Sequence, residues 1–193
     1  MNKELLDCID KNKYLCTNKK VYKTDKNSLS YLINKKLVQS ECIKLGIAIE
    51  KIFSDFITKQ SNFKNIKEKN KKGSIETDHL FKNLTTKTII YAEFKGNLNL
   101  DTEKSKITCE KCLNVECLLK NKFPDYKIII CLVGCRYYTK TIIPRHIAIK
   151  YNKLSLTNLY GINEYLNLFC IDNMFSNEIE YKNILEYIAS KII

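Results

Sequence analysis

The chain has 193 residues, 45% of them hydrophobic, and a formal charge of +12. That length and apolar fraction suit one full-sized domain, expected over 1–193, and exclude a disordered or fibrous chain. The charge favours a polyanionic partner through counterion release, although all the basic residues except Arg136 and Arg145 are lysine.

After a short first helix, residues 12–30 are dense in Lys, Asn and Thr with Tyr14 and Tyr22 interleaved, which reads as a basic arm or a solvated loop. Residues 37–57 form the clearest amphipathic helix, with Ile43, Gly46, Ile47, Glu50, Phe53 and Ile57 expected on one inward face. Glu50 in that stripe needs a cationic partner, and Gly46 one turn earlier is expected to admit another backbone. A second basic run, with Lys64, Lys67, Lys69, Lys71 and Lys72, leads into two apolar stretches, 75–81 and 89–95. These read as strands joined by a polar turn at 83–87. Side chains alternate along a strand, so Glu93 and Lys95 share one side and Phe94 takes the other. Asp78 returns beside them from the neighbouring strand. His79 is expected to cap its strand or to touch a ligand.

Downstream, Gly96 and Asn97 turn the chain and Asp101 is an expected N-cap for a helix running to about 120. Ile107, Cys112, Val115 and Leu119 are its expected inward face. Asn97, Asn99, Lys104, Ser105 and Lys106 are polar groups suited to phosphates or base edges. Residues 126–134 make a continuous β-branched block, the pattern of a strand buried on both faces, and the strand–helix–strand order places it parallel to the Glu93 strand. Arg136, Tyr138 and Lys140 leave the end of that strand, with Arg145 close behind, and are further candidate DNA contacts. Helices are expected at 163–170 and 177–193, the last with a capping-box start and the stripe Ile184, Leu185, Ile188 and Ile192. The 140–193 part is expected to be helical.

Nine cysteines without a signal peptide point to reduced thiols, and C-x2-C-x4-C at Cys109, Cys112 and Cys117 lacks the fourth ligand of a structural zinc site. No apolar run reaches the length of a membrane span, so the expected setting is intracellular and cytoplasmic, with no membrane partner.

Asp78, a spacer, then Glu93-x-Lys95 resembles the PD-(D/E)xK nuclease superfamily, and within it the type II restriction endonucleases. Thr77 stands where the superfamily's name has proline. A helix carrying Gly-x-x-x-Glu before the two strands, and a helix and buried strand after them, extend the likeness over 37–134. The resemblance implies an α/β (α+β) fold with a restriction-endonuclease-like core, a mixed four- to five-stranded sheet flanked by helices. It also implies Mg²⁺-dependent hydrolysis of double-stranded DNA at a short specific sequence. Asp78 and Glu93 would hold the metal, Lys95 would orient or help deprotonate water, and Glu50 would act as a supporting or additional ligand. It further implies a homodimer and a cognate DNA methyltransferase that is not a stable partner. A structure-specific or repair nuclease of the same fold is one alternative. A non-catalytic basic DNA-binding protein, with Glu93 and Lys95 as a plain ion pair, is the other.

Overall fold

The computed structural model describes residues 2–11, 29–33, 37–67, 77–156, 158–172 and 174–192. The basic stretch with Tyr14 and Tyr22, the lysines 69, 71 and 72, and the start of the first expected strand at 75–76 lie outside them. In chain order the elements are α1 (Lys3–Asp10), α2 (Leu29–Leu32), α3 (Gln39–Gln60), β1 (Lys64–Asn65), β2 (His79–Asn83), β3 (Thr88–Lys95), α4 (Thr102–Lys122) and β4 (Lys127–Gly134). A 3-10 turn (Lys140–Ile142), α5 (Arg145–Lys153), β5 (Leu159–Tyr160), α6 (Ile162–Asn167) and α7 (Glu178–Ile192) follow.

The strands form one mixed sheet in the order β1-β2-β3-β4-β5. β2 and β3 are an antiparallel hairpin, and β3 and β4 run parallel with Glu93 opposite Leu132 and Lys95 opposite Gly134. The hairpin turn has local causes. Asn83 Oδ1 accepts from Thr85 N (2.9 Å) and Thr86 N (3.0 Å), and Lys87 takes a left-handed φ of 47° to re-enter the ladder. Helix α4 begins as expected, with Asp101 Oδ1 accepting from Lys104 N at 2.8 Å.

Helices cover both faces of the sheet. Phe81, Ile90, Ala92, Phe94, Cys131 and Val133 join a core with α1, α3, α6 and α7. Ile89, Tyr91, Ile130 and Leu132 join a second core with α4 and α5. Each fully buried Phe, Leu or Ile contributes roughly 1.5–3 kcal/mol, so alternation along β3 sets which layer each residue stabilises. It also sends Glu93 to the α4 side and Phe94 to the α3 side.

Four expectations are corrected. The buried face of α3 is Leu45, Ala48, Ile49, Ile52, Phe53, Phe56 and Ile57, whereas Ile43 and Ile47 are 55% and 50% exposed. Gly46 lies on that open face, and a Cβ there would meet nothing within 4 Å, so it serves no close backbone approach. On α4 Ile107 is exposed, and Ser105 and Thr108 take the inward positions instead. The 140–193 part is not purely helical, because β5 adds a fifth strand parallel to β4. Gly161 directly after β5 fits under Thr139, whose backbone would lie 2.5–2.7 Å from any Cβ.

Candidate active site

Asp78 sits at a bend immediately before β2, and its Oδ2 accepts from Phe94 N at 2.7 Å. That bond fixes the carboxylate against the end of β3, between Glu93 and Lys95 in sequence. Glu93 is buried, with a side chain only 4% exposed, and its two oxygens are separately engaged. Oε1 accepts from Lys95 Nζ at 2.7 Å, while Oε2 accepts from Lys111 Nζ at 2.7 Å and from Tyr91 Oη at 2.8 Å. Tyr91, Glu93 and Lys95 alternate along one face of β3, and Lys111 reaches them from α4.

Glu50, from α3, feels the charges of Asp78 and Glu93. Burial, then the charges of Asp78 and Glu93, push its carboxyl up from 4.5 to about 7 against the opposing pull of Lys67 and Lys95. Burial and the Glu93 charge likewise raise Asp78, despite the Phe94 N–H, Lys95 and Lys111. For Glu93 burial acts upward too, but Lys95 and Lys111 outweigh it and hold the carboxyl below its usual range. Lys95 is raised: burial alone would lower it, and the charges of Glu93, Asp78 and Glu50 overcome that. It is therefore held as an ammonium by the carboxylates around it. Lys67 lies on the other side, its Nζ donating to Asp78 O at 3.3 Å.

His79 is turned into the core rather than capping its strand. It is buried, with Nε2 at 2.7 Å from Glu50 O and Nδ1 at 2.7 Å from Tyr165 Oη. A carbonyl only accepts, so Nε2 carries the proton and Nδ1 accepts from the tyrosine. Burial holds the ring down to about 4, and it lies tilted against Phe94 with ring centroids 4.3 Å apart. His79 thus ties the α3 turn bearing Glu50 to β2 and α6. The sequence carried no signal for this, because Tyr165 is 86 positions away. Lys111 did leave one: it sits beside Thr108 and Cys112 on the inward edge of α4, where a lysine needs an anion.

The expected DNA contacts divide. Asn99, Lys104, Lys106, Lys140 and Arg145 are exposed, with Lys104 paired to Asp101 (2.9 Å) and Lys106 near Glu110 (3.8 Å). Asn97 is half-buried and its Oδ1 accepts from Asn99 N at 2.7 Å. The loop they occupy is pinned by α5, where Tyr151 Oη donates to Leu98 O (3.1 Å) and Lys150 Nζ to Leu100 O (2.6 Å). Ser105 is corrected: it is fully buried, its hydroxyl donating to Asp101 O at 2.8 Å, and presents nothing to a ligand. Arg136 is only 14% exposed and its Nη1 donates to Glu178 on α7 at 2.7 Å, which ties the turn after β4 to α7. Tyr138 is half-buried against the first core.

The donor chemistry fits a hard divalent cation. Among the described residues no three His, Cys, Asp or Glu side chains are grouped as a ready-made cage. Mg²⁺ does not require one, since it commonly takes one or two carboxylates and completes its shell with water and substrate phosphate. The mutual repulsion of Glu50, Asp78 and Glu93 is what such a cation relieves. No described helix is long and apolar enough to cross a membrane. Compared with protein-family models, with curated proteins and with solved structures, the chain matches none of them.

Proposed function

We propose that the protein is a Mg²⁺-dependent endonuclease that hydrolyses double-stranded DNA at a short specific sequence, with a restriction-endonuclease-like core. The observation that carries this reading is the convergence of Glu50, Asp78, Glu93 and Lys95 on one strand end. They arrive from a helix, a bend and a strand in the helix–strand–strand–helix–strand order of that core. A structural ion pair would need only Glu93 and Lys95. Two further half-buried carboxylates, both raised by burial first and by neighbouring carboxylate charge second, destabilise the fold and call for a cation.

Asp78 and Glu93 would hold Mg²⁺, which when bound polarises the phosphoryl oxygens and offsets developing negative charge. Lys95, an ammonium beside the carboxylates, would orient the attacking water and stabilise the phosphorane-like transition state. Glu50, beside the two metal-holding carboxylates, would act as a supporting or additional ligand. In-line attack leaves 5′-phosphate and 3′-hydroxyl ends. His79 acts through Glu50 by fixing the α3 backbone at that residue. Two-fold pairing of subunits would let each cut one strand of a palindrome.

A passive DNA-binding role is the second reading, favoured by one observation: lysines already occupy both oxygens of Glu93. Incubating the purified protein with a plasmid and phage DNA panel, in Mg²⁺ or in EDTA, separates these. Discrete Mg²⁺-dependent fragments support the site-specific nuclease, and a smear or nicking supports a structure-directed nuclease of the same fold. Salt-sensitive binding without cleavage in any metal supports the passive binder.

A further inference from the structure

Glu93 is a single carboxylate bearing two ammonium groups, one on each oxygen. Lys95 holds Oε1 at 2.7 Å. Lys111 holds Oε2 at 2.7 Å. Both lysine side chains are 29% exposed, while that of Glu93 is 4% exposed, so Glu93 meets solvent far less than the lysines bound to it. A cation taking either oxygen of Glu93 competes with the lysine already on it. The two are held differently. Lys95 is drawn by Glu93, Asp78 and Glu50 together, and its strand is fixed on both sides by β2 and β4. Lys111 extends from α4, and its one ion pair among the described residues is to Glu93. It is the arm free to leave. An ammonium that leaves a carboxylate beside a hydrolytic site needs a replacement anion, and a phosphodiester supplies one.

We infer that Lys111 is a phosphate-released latch: it closes on Glu93 Oε2 in the free protein and transfers to a DNA phosphate, opening that oxygen to the divalent cation. This rests on the nuclease reading above and deepens it. Linkage then requires DNA and cation to bind with positive coupling, because each removes what excludes the other. The same arrangement keeps the site closed until substrate arrives.

Mn²⁺ binding, followed by calorimetry with and without a mixed-sequence duplex, tests the latch apart from activity. For wild type we expect weak Mn²⁺ binding that the duplex tightens. Lys111→Met, which keeps helix propensity and bulk, is expected to bind Mn²⁺ about tenfold more tightly without DNA and to lose the tightening, since removing a contact cation is worth on the order of one pK unit at such a site. Lys111→Arg, which keeps the charge, is expected to behave as wild type. If Lys111→Met binds Mn²⁺ no more tightly, or Lys111→Arg mimics it, the latch is overturned. Glu93→Gln separates the two claims. Should it leave Mn²⁺ binding unchanged, the metal-site assignment fails, and the latch with it. Should it abolish binding while Lys111→Met changes nothing, only the latch fails.

Discussion

Glu50→Gln is expected to make the metal-free protein more stable, and only at neutral to alkaline pH. A carboxyl whose proton affinity is raised on folding stabilises the fold most below its unfolded value of 4.5. That contribution is lost as pH rises through the folded value of about 7, and stability is flat above it. The rise corresponds to about 3 kcal/mol in full. Because Glu50 is only partly buried, solvent screening brings the expected effect to about 2 kcal/mol. Glutamine keeps the shape and removes the charge, so the gain appears at pH 8 and nearly vanishes at pH 5. For a chain of this size that is an increase in Tm of roughly 4–8 °C. Thermal denaturation in EDTA at the two pH values measures it. A variant that melts at or below wild type at pH 8, or gains equally at pH 5, would refute the claim that Glu50 is held ionised against repulsion. Adding Mg²⁺ should narrow the gap, since the cation relieves in wild type what the substitution removes.

His79 gives the opposite limb. Its folded value of about 4 lies below the ordinary 6.5, so its stabilisation is complete above 6.5 and is lost as pH falls toward 4, by about 3 kcal/mol. In wild type the Glu50 and His79 trends oppose each other between pH 4.5 and 6.5 and give a flat profile, whereas Glu50→Gln is expected to be acid-labile across that range in pH-jump denaturation. Glu50→Gln is expected to weaken Mg²⁺-dependent cleavage at least about tenfold in single-turnover assays, because it removes a carboxylate beside the metal-holding pair. Tyr91→Phe removes one hydrogen bond to Glu93 Oε2 and should cost on the order of 2 kcal/mol in chemical denaturation, because it touches a buried charge. A cost below a few tenths would contradict the importance of that bond.

Period-two alternation was enough to place Glu93, Lys95 and Phe94 on their faces, and the β-branched block at β4 and the Asp101 cap were legible for similar local reasons. The α3 face was not. Its sequence offers two apolar stripes at helical spacing, and Ile43 and Ile47 compete with Leu45, Ile49, Ile52 and Phe56. Only the N-terminal part of the first stripe, Ile43 to Ile47, is open; its Phe53 and Ile57 are buried with the second stripe. Ser105 buries because its hydroxyl bonds back to Asp101 O, which hydropathy does not register. The contacts of His79 and Lys111 join elements far apart in the chain, so no local pattern announces them. Lys95 was found by its spacing, but its protonation state follows from three surrounding carboxylates that only the fold assembles.

The central claim is that this carboxylate–lysine cluster cleaves DNA, and the most direct test compares wild type with Asp78→Ala and Lys95→Ala. Each is assayed for Mg²⁺-dependent cleavage, for duplex binding and for folding by circular dichroism. We expect wild type to cut, and both variants to remain folded and bind duplex while cutting is abolished. Variants that cut as well as wild type would show that the chemistry, if any, lies elsewhere in the molecule.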